Sequence, residues 1–175
     1  MRKRTLSELQ RPTLEEYRVM PKKALIAVLD NVRSALNVGS VFRTADAFNI
    51  EKIILCGITA TPPHREITKT AIGATESVAW EYHADIISIL AALKNDGYLL
   101  VGVEQTDTST PLQQFQGADR PVAVVFGNEV EGIQDDVLPL LDLCVEIPQS
   151  GTKHSLNVSV CAGIILWELA GKSIV

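Results

Sequence analysis

The sequence predicts an α/β domain, a parallel sheet with helices on both faces. Three observations predict it: short, nearly continuous apolar runs recur along the chain, segments with helical spacing lie between them, and polar, glycine-bearing stretches follow the runs. An apolar run without alternation reads as a strand buried on both faces. Residues 24–29 form the first such run. Residues 37–48 then show helical spacing, with Val38, Val41, Phe42 and Ala45 on one side. A second strand is expected at 52–57, followed by a loop with Pro62 and Pro63 and by Gly73. A helix at 84–94 carries Ile86, Ile87, Leu90 and Leu93 and stops at Asn95-Asp96-Gly97. Further strands are expected at 98–103, 122–126 and 143–147. A last apolar helix spans 155–170, with Ser155 as its N-cap and Gly171 as its stop.

A length of 175 residues fits one domain. Residues 1–23 stand apart as a basic arm or helix, and 24–175 form the main domain. The arm holds seven basic and three acidic residues, a local balance of +4 within a chain of net charge −5. The global charge excludes a uniformly basic nucleic-acid binder, yet a basic arm can meet a phosphate backbone while the acidic body keeps the protein soluble. Within the arm, Thr13 and Glu16 have the spacing of a capping box. No apolar core of a signal peptide follows the charged start, so the cytoplasm is the expected location. No apolar run reaches the ~18 residues of a membrane span. Cys56, Cys144 and Cys161 are far apart and flanked by apolar residues, so they read as small core residues rather than metal ligands or a disulfide.

In a parallel sheet the ligand sits beyond the carboxyl ends of the strands. Here those ends carry Glu104-Gln105-Thr106, Gly127-Asn128-Glu129 and Pro148-Gln149-Ser150-Gly151. There is no G-x-G-x-x-G after the first strand, no phosphate-binding G-x-x-x-x-G-K-[ST] and no G-x-S-x-G elbow. His64, His83 and His154 have no evident partner nucleophile and read as surface or loop residues.

Three segments stand out together: 37–48 (NVGSVFRTADAF), 125–132 (VFGNEVEG), and 147–151 (IPQSG) followed by 155–160 (SLNVSV). With these motifs the chain resembles the SpoU/TrmH-type RNA 2′-O-ribose methyltransferases of the SPOUT superfamily, from about residue 24 to 170. The resemblance implies transfer of a methyl group from S-adenosyl-L-methionine (AdoMet) to a ribose 2′-hydroxyl of tRNA or rRNA. It also implies a C-terminal deep trefoil knot and a homodimer without a metal. It marks Asn37, Arg43, Glu129, Ser155 and Asn157 as catalytic positions. The cofactor would lie among Glu104, Gln105, Thr106, Gly127, Ile147, Gln149 and Leu156. Asn49 stands where the family usually has glycine, Ser34-Ala35-Leu36 lacks a customary proline, and Gln149 replaces a frequent methionine.

A ribose hydroxyl is a poor nucleophile near neutral pH and needs its developing oxyanion stabilised or its proton removed. Arg43 is a fixed positive charge with planar donors, so positioning and electrostatic stabilisation suit it better than proton abstraction. Its alternative role is a surface ion pair with Asp46 at i+3. Asn37 is expected at the helix start as cap and organiser, Glu129 as an orienting or substrate-binding carboxylate, and Asn157 as a hydrogen-bonded polar residue. RNA would meet the N-terminal arm and Arg33, Arg43, Arg65, Lys69 and Lys153. Two other classes stay open: a non-catalytic RNA-binding member of the same fold, and a flavodoxin-like domain that binds a small molecule.

Overall fold

A computed structural model describes residues 1–5 and 7–172; the last three residues of the expected main domain lie outside this range. Seven strands form one sheet: β1 (Lys23–Asp30), β2 (Ile50–Cys56), β3 (Ala79–His83), β4 (Leu99–Val103), β5 (Thr110–Pro111), β6 (Val122–Phe126) and β7 (Leu143–Glu146). Their order is β3-β2-β1-β6-β4-β7-β5, and every pairing is parallel. Parallel strands need crossovers, which here are α2 (Ala35–Phe48), α3 (Arg65–Ala71), α4 (Ala74–Ser77) and α5 (Ile86–Asn95). The chain opens with α1 (Leu14–Val19) and closes with α6 (Val158–Gly171).

The sheet is covered on both faces, as the apolar runs require. On one face Leu25, Ala27, Leu29 and Val124 pack with Val38, Phe42 and Ala45 of α2 and Ile165, Leu166 and Leu169 of α6. On the other, Ile26, Val28, Ile54 and Val125 pack with Ile86, Leu90 and Leu93 of α5 and with Ile133 and Val137. All six side chains 25–30 of β1 are buried, so its fully apolar stretch ends on a buried carboxylate, Asp30. The α2 helix ends at Asn49 in the left-handed region (φ 54°), the conformation that glycine would otherwise supply there.

Four expectations change. β3 and the two-residue β5 add to the five strands read from the sequence, and α3 and α4 occupy the stretch read as loop. β3 sits at the sheet edge with no fully buried residue, so it lacks a continuous apolar signal. The last helix is capped by Asn157, whose Oδ1 accepts from the backbone of Ser159 (3.0 Å) and Val160 (3.3 Å). Ser155 lies two residues too early to do so. Ser34, not Asn37, caps α2.

The arm is partly docked. The Thr13–Glu16 capping box forms. Tyr17 is buried and donates from its hydroxyl to the Asp46 carbonyl at 3.0 Å. Lys22 Nζ lies 3.3 Å from the Tyr17 ring centroid, and Arg18 donates to the Glu76 carbonyl.

Strand β7 runs between β4 and β5, although those two strands are joined through residues 104–109 alone. Late chain therefore fills a gap between two strands that precede it.

Among the described residues no helix is long and apolar enough to cross a membrane. Among them, too, no group of three or more His, Cys, Asp or Glu side chains could hold a metal ion.

Candidate active site

The carboxyl ends of β4, β6 and β7 open into one cavity of about 470 Å³. All seven residues expected around a cofactor line it: Glu104, Gln105, Thr106, Gly127, Ile147, Gln149 and Leu156. Phe126, Ile133, Leu138, Val158 and Cys161 add apolar wall. The turn after β6 folds back on itself through paired backbone bonds between Asn128 and Gly132, both 3.0 Å. A Cβ at Gly127 would strike the Gly132 carbonyl group, so glycine is what lets this turn close under the cavity. Asn128 fastens the turn, donating to the Asn31 carbonyl (2.8 Å) and accepting from Val130 and Glu131 N–H. Gln105 Nε2 donates to the His154 carbonyl at 2.8 Å, which ties the β4 end to the loop before α6.

Beside the cavity runs a second polar network. Glu129 accepts from the backbone N–H of Arg33 (2.9 Å) and Ser34 (3.0 Å) and from Asn37 Nδ2 (2.9 Å). Asn37 Oδ1 accepts from Asn157 Nδ2. Partial burial pushes the Glu129 pKa up, but these three donors outweigh it, and the carboxyl ends below the ordinary glutamate value. Two expectations for Glu129 separate here: it orients Asn37 and the start of α2, and both its oxygens are engaged in doing so. Ser155 lines the cavity, and Asn157 joins it only through the network.

Arg43 is not brought into this cavity. It is exposed on the outer stripe of α2 and lines a separate groove of about 490 Å³ with Ser40, Thr44, Ala47, Phe48, Thr70 and Gly163. The ion pair with Asp46 does not form among the described residues; the Asp46 carboxylate takes the Ser77 hydroxyl instead. The same side of the molecule exposes Val160, Ile164 and Trp167 on α6, at 53%, 38% and 63%. These lie at i, i+4 and i+7, one uncovered apolar stripe on an otherwise core-like helix.

The sequence reading singled out 125–132 as a motif but placed no cofactor position at Val130, Glu131 or Gly132, and it did not anticipate Ile133, Asp135 or the loop carbonyl of His154. The Gly132 turn was the available signal. The three cysteines are free: Cys56 is buried, and Cys144 and Cys161 are half-buried.

The fold and site together define a class, a parallel α/β protein with a cavity at its strand ends, the place where such sheets take their ligands. Residues 24–167 match the SpoU rRNA Methylase family, and the chain belongs to it. It is 35% identical over 149 residues to the 23S rRNA (guanosine-2′-O-)-methyltransferase RlmB of Nitrosomonas europaea, covering 85% of this chain and 56% of that protein. A crystal structure of the Aquifex aeolicus TrmH/SpoU tRNA modifying enzyme superposes with a TM-score of 0.80 at 28% identity, covering 91% of this chain and 80% of that one. The AdoMet-bound rRNA methyltransferase from Sinorhizobium meliloti superposes with a TM-score of 0.79 at 27% identity, covering 87% of this chain and 58% of that one. The chain spans between 9% and 62% of the length of four curated relatives compared with it.

Proposed function

We propose that this protein transfers a methyl group from AdoMet to a ribose 2′-hydroxyl of tRNA or rRNA. The observation that carries the reading is the convergence of all seven expected cofactor positions on one cavity, bordered by the Asn37–Glu129–Asn157 network. The cavity has the size and mixed lining of a cofactor site. Backbone groups of 104–106 and 147–149 would hold an adenine between Ile147, Leu156 and Phe126.

AdoMet, when bound, supplies an electrophilic methyl carbon. The chain's part is to hold a ribose oxygen in line with it and to stabilise charge that develops there. Ser155 lines the cavity with its hydroxyl, and the Asn37–Asn157 pair is tied to it through Glu129, which also lines it. Arg43 supplies fixed positive charge for a phosphate and the attacking oxygen.

Arg43 reaches an active site in this reading only through a homodimer, from one protomer toward its partner's cavity. The uncovered stripe of Val160, Ile164 and Trp167 beside Arg43's groove supports that arrangement. The deep trefoil knot implied by family membership would form where β7 passes between β4 and β5. RNA would lie along Arg33, Arg65, Lys69 and Lys153, which are all exposed, with Lys3, Arg4 and Arg11 of the arm. The cytoplasm is the proposed location.

The test is incubation with methyl-labelled AdoMet and total RNA. The reading expects label in alkali-resistant dinucleotides. Label confined to bases, or none with an enzyme that binds AdoMet, would overturn it in favour of another target or a non-catalytic RNA binder. No binding of AdoMet would favour a different small-molecule ligand.

A further inference from the structure

Glu104 is the first residue beyond β4, and its carboxylate is held in place from both ends. Oε1 accepts from the N–H of Gln105 at 2.8 Å, and Oε2 from the N–H of Ile133 at 3.0 Å. Room for it is built into the facing turn: Gly132 sits at φ +70°, and any Cβ there would strike Glu104 Oε2. The carboxylate is half-buried in the cavity wall. Its charge also reaches the Cys161 thiol, which burial first and Glu104 second raise to about 11.

A carboxylate can accept about four hydrogen bonds. Two are used by the backbone, which leaves each oxygen able to accept one more, on a residue that lines the cavity. Two adjacent acceptors of this kind match two adjacent hydroxyl donors. An acid at a strand end that binds the sugar of a nucleotide follows the same logic in other parallel α/β proteins. The apolar side chains of Ile147 and Leu156, across the cavity, suit a flat base rather than a charged group.

We propose that Glu104 is the ribose-recognition residue of the cofactor site, accepting hydrogen bonds from both hydroxyls of the adenosyl sugar. This rests on the proposed AdoMet reading of the cavity. The carboxylate thereby selects an intact ribonucleoside over a deoxynucleoside. Glu104 is a binding residue, and the methyl transfer itself does not pass through it.

The experiment is calorimetric titration of full-length wild-type protein and Glu104→Gln with S-adenosylhomocysteine and with its 2′-deoxy and 3′-deoxy counterparts. The glutamine keeps the shape and an acceptor for the Ile133 N–H, and a thermal melt of each protein without ligand checks that the fold is intact. Wild type is expected to lose about 10-fold in affinity when either hydroxyl is removed, the scale of one charge-assisted hydrogen bond. Glu104→Gln is expected to bind S-adenosylhomocysteine about 10-fold more weakly and to discriminate little against the deoxy ligands. A merely structural role would weaken all three ligands equally and leave the discrimination in place, which overturns the proposal. In a parallel titration with AdoMet, a Glu104→Gln protein that loses affinity for AdoMet but not for S-adenosylhomocysteine also overturns it, since Glu104 would then be reading the sulfonium charge. A folded wild type that binds none of these ligands overturns the AdoMet reading and this inference with it, whereas wild-type binding with an indifferent Glu104→Gln overturns the inference alone.

Discussion

Asn157 Nδ2 donates to Asn37 Oδ1 at 3.1 Å, joining residues 120 positions apart in the chain. The same Asn157 caps α6 with its own carbonyl oxygen, and the same Asn37 reaches Glu129 with its amide. One short relay therefore latches the starts of α2 and α6 to the turn after β6. Replacing Asn157 by alanine removes the cap, which costs about 1 kcal/mol, and so lowers the melting temperature by about 2–4 °C for a chain of this size. Asn157→Asp keeps the capping oxygen and loses only the donor to Asn37. It is expected to melt nearer to wild type, and thermal denaturation of the two variants separates cap from relay.

Glu129 carries a pH signature. Its pKa is lowered on folding, so its contribution to stability is present above the ordinary glutamate value of 4.5 and is lost as pH falls through the lowered value. Wild type and Glu129→Gln, melted across the acid range, are expected to differ most above 4.5 and to converge below it. A constant difference at all pH values would show that shape, not charge, holds the three donors.

Asp30 has the opposite sign. It is 1% exposed, and its Oδ2 has no hydrogen-bond partner among the described residues. Burial raises its pKa, the Asn31 amide partly offsets this, and Asp136 raises it further. Stability linked to this group is full below the unfolded value and is lost as pH rises through the folded one. Asp30→Asn is thus expected to raise the melting temperature near neutral pH, by a margin that shrinks in acid.

Arg43 makes no side-chain hydrogen bond or ion pair among the described residues. Arg43→Ala is therefore expected to leave the melting temperature and AdoMet affinity unchanged while slowing methyl transfer by about 100-fold or more, the scale of losing one preorganised charge donor. Lysine should restore little, because it lacks the planar fork. Transfer at the wild-type rate would remove Arg43 from the reaction.

Trp167, 63% exposed, tests the proposed dimer. Trp167→Glu places a charge at the C-terminal end of the apolar stripe, on its most exposed member. Sedimentation is expected to show a dimer for wild type and a monomer for the variant, with AdoMet binding kept and transfer lost.

The central strands could be read from the sequence because runs such as Ile26-Ala27-Val28 bury both faces and leave no alternation to confuse. β3 could not, since Trp80, Tyr82 and His83 mix half-buried with exposed positions at an edge. α3 was hidden by its size: seven residues, polar on most sides, capped by His64 Nδ1 rather than by a usual capping residue. Most of the cavity-lining positions could be placed because 104–106, Gly127, Ile147 and Gln149 lie at or just beyond the ends of apolar runs, whereas Leu156 rested on the motif resemblance alone. The start of α6 was not, because Ser155 and Asn157 are equally good caps by type and only the backbone path decides between them. Nor could spacing say that Arg43 faces away from the cavity beside Glu129, for a helix stripe has no address until its neighbours are placed.

The position of β7 has a consequence for how the protein is made. Among the described residues its only hydrogen-bonded strand neighbours are β4 and β5, and β5 has no other strand neighbour than β7. A nascent chain that has emerged only as far as β6 can pair five strands, yet the slot for the sixth stays open and β5 hangs unattached. The pocket wall at Ile147 and the latch at Asn157 arrive after that slot is filled. The cavity is thereby left without one wall until the chain has grown past β7 to Asn157, so that a chain truncated before β7 would keep much of its core and lose the cavity.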